Sequence, residues 1–299
     1  MKRKLKIYLE LCKVRISFFA TISTGVGYIL ATGKMFSGIF APVIGIFILA
    51  CGSCALNQIQ DREIDVKMNR TKNRPLPSGR INLIEAWIFT VILLITGLSI
   101  LYFGANLLTM GLGLLAVLWY NGIYMYFKRV TSLAVIPGAF VGAIPPMLGW
   151  AASGRSIWEP TIISLATLFF VWQIPHFWLL LMNYSEDYDR GGLPSLTRVF
   201  SNRQLERITF VWVVATAVTG ILIPIYSSIL SPTTNIIFII VSFWLIWASL
   251  NLVKSNGKIP IFMRVFRDIN IYILVVVVIL TFGKLMGFDE PNLTLLVER

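Results

Sequence analysis

Long apolar runs separated by short polar segments make up most of the chain. An α-helix needs about 20 such residues to cross the hydrocarbon core of a bilayer. Runs of suitable length lie at residues 16–33, 38–57, 83–103, 106–127, 132–152, 159–182, 208–229, 235–253 and 269–287. The pattern predicts an all-α, polytopic membrane protein with nine transmembrane helices, and we expect residues 1–299 to form one domain.

Composition agrees with this pattern and excludes several classes of protein. The 299 residues are 57% hydrophobic, and only 13% are Asp, Glu, Lys or Arg, about half the share found in soluble proteins. A formal charge of +12 would suggest nucleic-acid binding in a polar protein, but we expect no nucleic-acid partner for a chain this apolar. One His excludes three-histidine zinc sites, and three Cys are too few for a disulfide framework.

The basic residues predict how the chain is oriented. If the N-terminus is cytoplasmic, 22 of the 26 Lys and Arg residues lie in the N-terminal segment and the loops of that side. The other side then holds only Lys34, Arg155, Lys284 and Arg299. By the positive-inside rule, we expect a prokaryotic plasma-membrane protein with a cytoplasmic N-terminus and an external C-terminus.

Asn57, Asp61 and Asp65 are spaced i, i+4, i+8 at the end of the second apolar run. On a helix they form one stripe about 12 Å long. Carboxylate and amide oxygens are the ligands that Mg²⁺ prefers, and it completes its shell with water and phosphate oxygens. A solvated helix end, whose acids pair with Arg62 and Lys67, is the alternative. Because ionisable groups beside an apolar span are costly and usually functional, we favour a metal–diphosphate site.

A basic segment follows this stripe at residues 67–80. Arg70, Lys72 and Arg74 are its candidate phosphate-binding residues, because guanidinium groups suit bidentate phosphate contacts. Pro75, Pro77 and Gly79 would hold the segment as a turn-rich loop. A juxtamembrane patch attracted to anionic lipid headgroups is the alternative, but it does not account for the adjacent carboxylates.

A second acidic cluster, Glu186, Asp187 and Asp189, follows the sixth apolar run and leaves the membrane on the same side. Asn183 and Asp187 are spaced i, i+4, so this helix end could offer a second oxygen stripe, and which of its residues binds metal stays open. Two acidic helix ends facing each other could hold metal ions and a diphosphate between them.

These motifs resemble the UbiA superfamily of intramembrane prenyltransferases, and within it the protoheme IX farnesyltransferase branch. The resemblance extends from about residue 7 to past residue 200. It rests on Asn57-x-x-x-Asp61-x-x-x-Asp65 and on the segments at 68–80, 126–131, 142–150 and 172–178. The chain departs from many bacterial members after Tyr188, where it reads Gly191-Gly-Leu-Pro-Ser195-Leu.

The resemblance implies nine helices around a central cavity and transfer of the farnesyl group of farnesyl diphosphate to a vinyl group of heme b, with water addition giving heme O. It implies Mg²⁺ bound by the two acidic motifs, with the candidate ligands Asn57, Asp61, Asp65, Asp187 and Glu186. Arg70 and Arg74 take the diphosphate role, and Tyr188 accompanies Asp187 in the second motif. Lys72, Lys128, Arg129 and His176 are further candidates for binding the substrates.

Several alternatives stay open at this point. His176, the only histidine, could contact the porphyrin iron or a propionate, but it could equally pack between helices. A related prenyltransferase acting on an aromatic quinone precursor would share the first motif, but not the Trp172–Phe177 sequence. A transporter would also carry charges in the membrane, although its acids would be expected near the midplane. A heme A synthase, or the cytochrome oxidase assembly pathway, is the partner that the resemblance suggests.

Overall fold

The computed structural model describes residues 2–35, 37–226, 232–254 and 259–286, and all regular structure within these ranges is helical. The α-helices are α1 Lys2–Cys12, α2 Val14–Thr32, α3 Phe40–Asp65, α4 Leu83–Gly104, α5 Leu107–Leu118, α6 Met125–Val130, α7 Val135–Ala152, α8 Pro160–Asn183, α9 Ser185–Arg190, α10 Leu196–Val199, α11 Asn202–Tyr226, α12 Pro232–Ser249 and α13 Ile259–Leu285. A π-helical segment, Trp119–Tyr124, joins α5 to α6, and short 3₁₀ turns lie at Ser37–Ile39 and Leu250–Lys254.

Nine helices in the described part of the chain are long and apolar enough to cross a membrane, which confirms the number predicted. Three of the predicted boundaries are wrong. The second span continues to Asp65 instead of ending at residue 57, the seventh begins at Asn202 instead of residue 208, and the ninth begins at Pro260 instead of residue 269. Hydropathy marks where side chains become polar, whereas a helix continues as long as its backbone hydrogen bonds do. The last residues of the predicted seventh and ninth spans lie outside the described residues.

The outer surface of the bundle is strongly apolar. Phe103, Ile84 and Trp247 are between 72% and 84% exposed, and many other large apolar side chains are exposed along α4, α5 and α12. A surface of this kind cannot face water over most of its area. Together with the nine long helices, it makes the chain a multi-pass membrane protein.

Helix α1 lies outside the nine predicted apolar runs, the first of which begins at residue 16. Ile7 and Leu11 pack in a buried cluster with Ala55 and Ile59 of α3. The Gln58 side chain donates to the carbonyl oxygens of residues 10 and 11 at 2.9 and 3.1 Å. Since the last carbonyls of a helix have no partner within it, these bonds attach the end of α1 directly to α3.

Small residues let α2 and α7 approach closely. A Cβ added to Gly149 of α7 would overlap the backbone carbonyl of Thr24, and one added to Gly27 of α2 would overlap that of Pro146. Glycine at such crossings allows helix backbones to pack in direct contact. Helices α2, α7, α8, α11 and α13 share one large apolar core. Helix α3 packs against the α2 and α7 side of this core.

Residues 66–82 form a turn-rich connection between α3 and α4, as the prolines and glycine predict. Gly79 has a positive φ of 69°, which glycine adopts without strain. The segment ends at Asn82, whose side chain accepts a hydrogen bond from the Glu85 N–H at 2.7 Å and begins α4. The basic segment is therefore a folded loop fixed at both ends by helices.

Candidate functional site

The first motif lies on the inner face of α3. Asn57 is 4% exposed, and Asp61 and Asp65 are each 2% exposed. The stripe expected from the i, i+4, i+8 spacing is therefore buried inside the protein, not solvated at a helix end. The Asn57 side chain donates to Asp61 Oδ2 at 3.2 Å and to Met125 Sδ at 3.0 Å.

Each member of the stripe has its own basic partner, and the three partners come from different parts of the chain. Lys13 Nζ donates to Asn57 Oδ1 at 2.6 Å. Lys128 Nζ lies 2.7 Å from Asp61 Oδ2. Arg74 Nη1 lies 2.9 and 2.8 Å from the two oxygens of Asp65. The result is a buried row of one amide and two carboxylates, each in contact with a Lys or Arg side chain, where a cation and an anion could bind side by side.

Lys13 is a site residue that the sequence analysis did not identify. It lies between α1 and α2 with a left-handed backbone, φ 44°, and this turn directs its side chain to α3. Desolvation by burial lowers the pKa of Lys13 to about 8, and the Asp61 carboxylate opposes that shift. In the sequence, Lys13 lies directly before the first span, but other basic residues surround it there. Nothing in the sequence distinguishes it from them as a site residue.

Asp187 is the one residue of the second cluster that reaches the basic loop. Its 9% exposed side chain accepts hydrogen bonds from the backbone N–H groups of Asn69 and Arg70 at 3.1 and 3.0 Å. The Arg70 guanidinium lies 5.3 Å from the centre of the Tyr184 ring. Burial raises the pKa of Tyr188. Two backbone donors on one carboxylate make Asp187 an anchor for the loop that carries the arginines.

Other predicted site residues lie away from this row. The Glu186 side chain is 89% exposed and 3.6 Å from Arg190. Lys72 is exposed and donates to Asn69. Arg129 donates to the Gln60 backbone carbonyl at 2.8 Å from an exposed position, at a surface cleft of about 340 Å³. The side chain of Asn183 lies outside the described residues.

His176 lies in a separate aromatic environment between α8 and α13. Its Nδ1 is 2.9 Å from Asn270 Oδ1, and the Asn270 amide donates to the Phe266 carbonyl. Since the amide nitrogen is used in this way, Asn270 Oδ1 is the acceptor and His176 Nδ1 carries the proton. Trp172 and Phe266 each lie 4.8 Å from the imidazole, between ring centres.

The row fits a divalent cation such as Mg²⁺. Asp61 Oδ1 is buried and has no hydrogen-bond partner in the described structure, and an orphaned buried carboxylate oxygen is costly unless something binds it. Within the described ranges no three Asp, Glu, His or Cys side chains converge as a complete metal cage. Mg²⁺ commonly takes only one or two carboxylates and completes its shell with phosphate oxygens, so Asp61 and Asp65 suit an ion that arrives with a phosphorylated substrate.

Solved structures share this fold. A digeranylgeranylglyceryl phosphate synthase superposes with a TM-score of 0.78 and 23% identity, covering 96% of this chain and all of its own. A UbiA homologue from Archaeoglobus fulgidus bound to GPP and Mg²⁺ gives a TM-score of 0.65 and 14% identity, covering 88% of this chain and 99% of its own. The likeness to these structures shows that the chain has their helical architecture.

The family follows from the sequence. The model of the UbiA prenyltransferase family matches residues 20–282, and the chain belongs to this family. A protoheme IX farnesyltransferase of Oleidesulfovibrio alaskensis is 30% identical over 93% of this chain and 96% of its own length. Another of Geobacter sulfurreducens is 35% identical over 73% of this chain and 80% of its own.

Proposed function

We propose that the chain acts as one domain and transfers the farnesyl group of farnesyl diphosphate to a vinyl group of heme b, giving heme O and diphosphate. The observation that carries the proposal is the buried row in which Asn57, Asp61 and Asp65 each contact a Lys or Arg. Such a row suits a diphosphate together with Mg²⁺. The relatives from Oleidesulfovibrio and Geobacter are named for this farnesyl transfer.

The carboxylates of Asp61 and Asp65 would hold Mg²⁺, which when bound draws negative charge from a departing diphosphate. Arg74 and Lys128 would exchange these carboxylates for diphosphate oxygens and stabilise the charge that develops on the leaving group. Arg70 lies on the loop anchored by Asp187 and would bind the same anion. Preorganised charges of this kind cost little reorganisation at the moment of reaction.

In the proposed reaction, the C–O bond of farnesyl diphosphate breaks, its electron pair leaves with the diphosphate, and an allylic cation remains. The vinyl π electrons form the new C–C bond, and water adds to the resulting cation and loses a proton. The acceptor itself is the nucleophile, so the reaction needs no Ser-His-Asp or Cys-His unit.

The acceptor assignment is supported by the names of the relatives and by the surroundings of His176. With Nδ1 protonated toward Asn270, the other ring nitrogen, Nε2, keeps its lone pair. The aromatic neighbours Trp172 and Phe266 suit an apolar porphyrin. We further propose insertion into a prokaryotic plasma membrane with the N-terminus cytoplasmic, and delivery of the product to a heme A synthase or another step of cytochrome oxidase assembly.

One assay tests the reaction. Membranes that contain the protein are incubated with heme b, farnesyl diphosphate and Mg²⁺, and the product is identified by mass. We expect heme O from the wild type and none when EDTA removes the metal. Parallel incubation with 4-hydroxybenzoate tests the rival acceptor, and a prenylated benzoate in place of heme O would refute the assignment.

The same assay tests the row itself. Asp61→Ala and Asp65→Ala should each lower the rate by at least about 100-fold, because removal of preorganised charge at a developing anion costs this much. Glu63→Ala is the matched control, since its side chain is 81% exposed on the same helix. Full activity in either Asp variant, with normal protein levels in the membrane, would contradict the proposal.

A further inference from the structure

A π-helical segment interrupts the fourth span at Trp119–Tyr124 and ends shortly before Lys128. A π turn holds one more residue than an α turn, and such turns are frequent at functional sites. Each residue of an α-helix turns by about 100°. The extra residue therefore rotates everything that follows it, including Met125 and Lys128, by about 100° relative to the first half of the span.

The rotation brings one face of α6 onto the first motif. Met125 Sδ accepts from the Asn57 amide at 3.0 Å, and Lys128 Nζ lies 2.7 Å from Asp61 Oδ2. Met125 and Lys128 are spaced i, i+3 and so share one face of the helix. Without the π turn this face would point elsewhere, and Lys128 could not reach Asp61 from the same backbone.

Buried hydrogen bonds attach the π turn to α3. Asn121, 7% exposed, accepts a hydrogen bond from the Ser53 hydroxyl and donates to the Ser53 carbonyl at 3.0 Å. It also donates to Gln60 Oε1 at 3.2 Å. Gln60 Nε2 returns a bond to the Asn121 backbone carbonyl at 2.7 Å. Gln60 directly precedes Asp61, so this network joins the π turn to the residue beside the carboxylate that Lys128 contacts.

We propose that Asn121 and Gln60 are positioning residues that hold Lys128 at the diphosphate site. This inference rests on the proposed function, since it assigns Lys128 to the substrate anion. The Asn121 side chain uses its amide and its carbonyl oxygen toward α3. Such a network orients the cation in the way that hydrogen-bond partners orient the ligands of a metal ion.

The first test separates positioning from folding. Asn121→Leu and Gln60→Leu remove these bonds by replacing the amide group with an apolar side chain. We expect each to raise the KM for farnesyl diphosphate, and to weaken binding of inorganic diphosphate with Mg²⁺ to the purified protein, by about tenfold, the usual effect of losing a supporting partner. The kcat at saturating substrate should fall as well, but by less than in Lys128→Met, because Lys128 also stabilises the charge that develops on the leaving group.

Thr216→Val is the matched control. Thr216 is fully buried, but its hydroxyl donates to the carbonyl of Trp212 within its own helix. This variant should bind diphosphate like the wild type. Gln60 is only half-buried, so Gln60→Leu provides the readout if Asn121→Leu does not accumulate. Wild-type diphosphate binding in a folded Gln60→Leu or Asn121→Leu protein would overturn the proposal.

A double-mutant cycle tests whether Asn121 acts through Lys128. Lys128→Met should weaken diphosphate binding alone, and adding Asn121→Leu to it should have little further effect, because residues that act through one contact are not additive. If the double variant loses diphosphate affinity by the full product of the two single losses, Asn121 acts independently of Lys128. Binding of inorganic diphosphate is measured without heme, so it does not depend on the outcome of the heme assay. A wild-type protein that binds diphosphate but makes no heme O would refute the proposed farnesyl transfer and leave the positioning role of Asn121 testable.

Discussion

At the scale of single residues, the site depends on charges that are buried and individually paired. Asp61 and Lys128 are 3% and 15% exposed in their side chains, and Asp65 and Arg74 are 3% and 21% exposed. Removing one partner of a buried pair leaves an uncompensated charge, which usually costs about 3–5 kcal/mol. The pairs therefore hold the carboxylates in place, and in the proposed function a cation and its anion would take over these contacts.

Asp187 and Glu186 are adjacent in sequence and provide a prediction with an internal control. Asp187→Ala removes the acceptor of two backbone N–H groups in the loop that carries Arg70. We expect about tenfold weaker binding of inorganic diphosphate with Mg²⁺ and faster trypsin cleavage within residues 66–82.

Glu186→Ala should change neither quantity, because that side chain is exposed and contacts only Arg190 among the described interactions. Both can be measured on purified protein, by calorimetry and by the time course of proteolysis. A large loss in Glu186→Ala together with wild-type behaviour in Asp187→Ala would reverse the assignment of the second motif.

At the scale of helices, the site forms where a helix continues beyond its apolar residues into polar ones. Helix α3 extends eight residues past the end of its apolar run, and these eight residues include Asp61 and Asp65. The π-helical segment in the fourth span directs Lys128 to Asp61 of that extension, and the left-handed turn at Lys13 directs this lysine to Asn57, directly before it. None of these three features changes the hydropathy profile, yet together they assemble the row.

The α2–α7 crossing allows a test of helix packing. Gly149→Ala would place a methyl group against the Thr24 backbone carbonyl, and a backbone cannot move aside as a flexible side chain can. Overpacking of this kind costs about 1–3 kcal/mol or more. We expect a clearly lower Tm in detergent than for the wild type.

Gly111→Ala is the control for this change. It lies in α5, where an added Cβ would meet nothing within 4 Å. Its Tm should equal or slightly exceed the wild-type value, because Ala has the higher helix propensity. Equal Tm values for the wild type, Gly149→Ala and Gly111→Ala would show that α2 and α7 do not pack as closely as described.

At the scale of the whole molecule, the basic residues and the site lie on the same side of the membrane. The side that carries most of the basic residues by the sequence count is also the side of the basic loop and of α9. If the positive-inside rule holds, both acidic motifs face the cytoplasm. In the proposed function, the water-soluble diphosphate group and Mg²⁺ could then reach the site directly, while farnesyl and porphyrin groups would partition into the apolar bundle.

Reporter fusions test this orientation. Alkaline phosphatase joined after Arg299 should be active, and green fluorescent protein joined there should be dark, because the C-terminus is expected outside. Fusions within the 66–82 loop, at Ser78, should give the opposite pair of results. Fluorescence from the C-terminal fusion would contradict either the predicted orientation or the odd number of spans.

The sequence alone predicted nine helices, the stripe of Asn57, Asp61 and Asp65, and the basic loop. These features are local, because hydrophobic run length determines which segments can span a bilayer, and helix periodicity determines which side chains share a face. The motif spacings are equally local, so the resemblance to the family rests on short stretches of sequence. Helix ends were the weaker part of the prediction, because backbone hydrogen bonding continues past the point where the side chains become polar.

Only the tertiary structure decided which residues far apart in the sequence meet at the site. Lys13 and Asn57 are 44 residues apart, Lys128 and Asp61 are 67 apart, and Asn69 and Asp187 are 118 apart. Such pairs depend on helix packing, on one extra residue in a π turn and on a single left-handed backbone, and no local pattern records these. The same dependence explains why Glu186 and Asp187, neighbours with the same charge, lie one in solvent and one in the site.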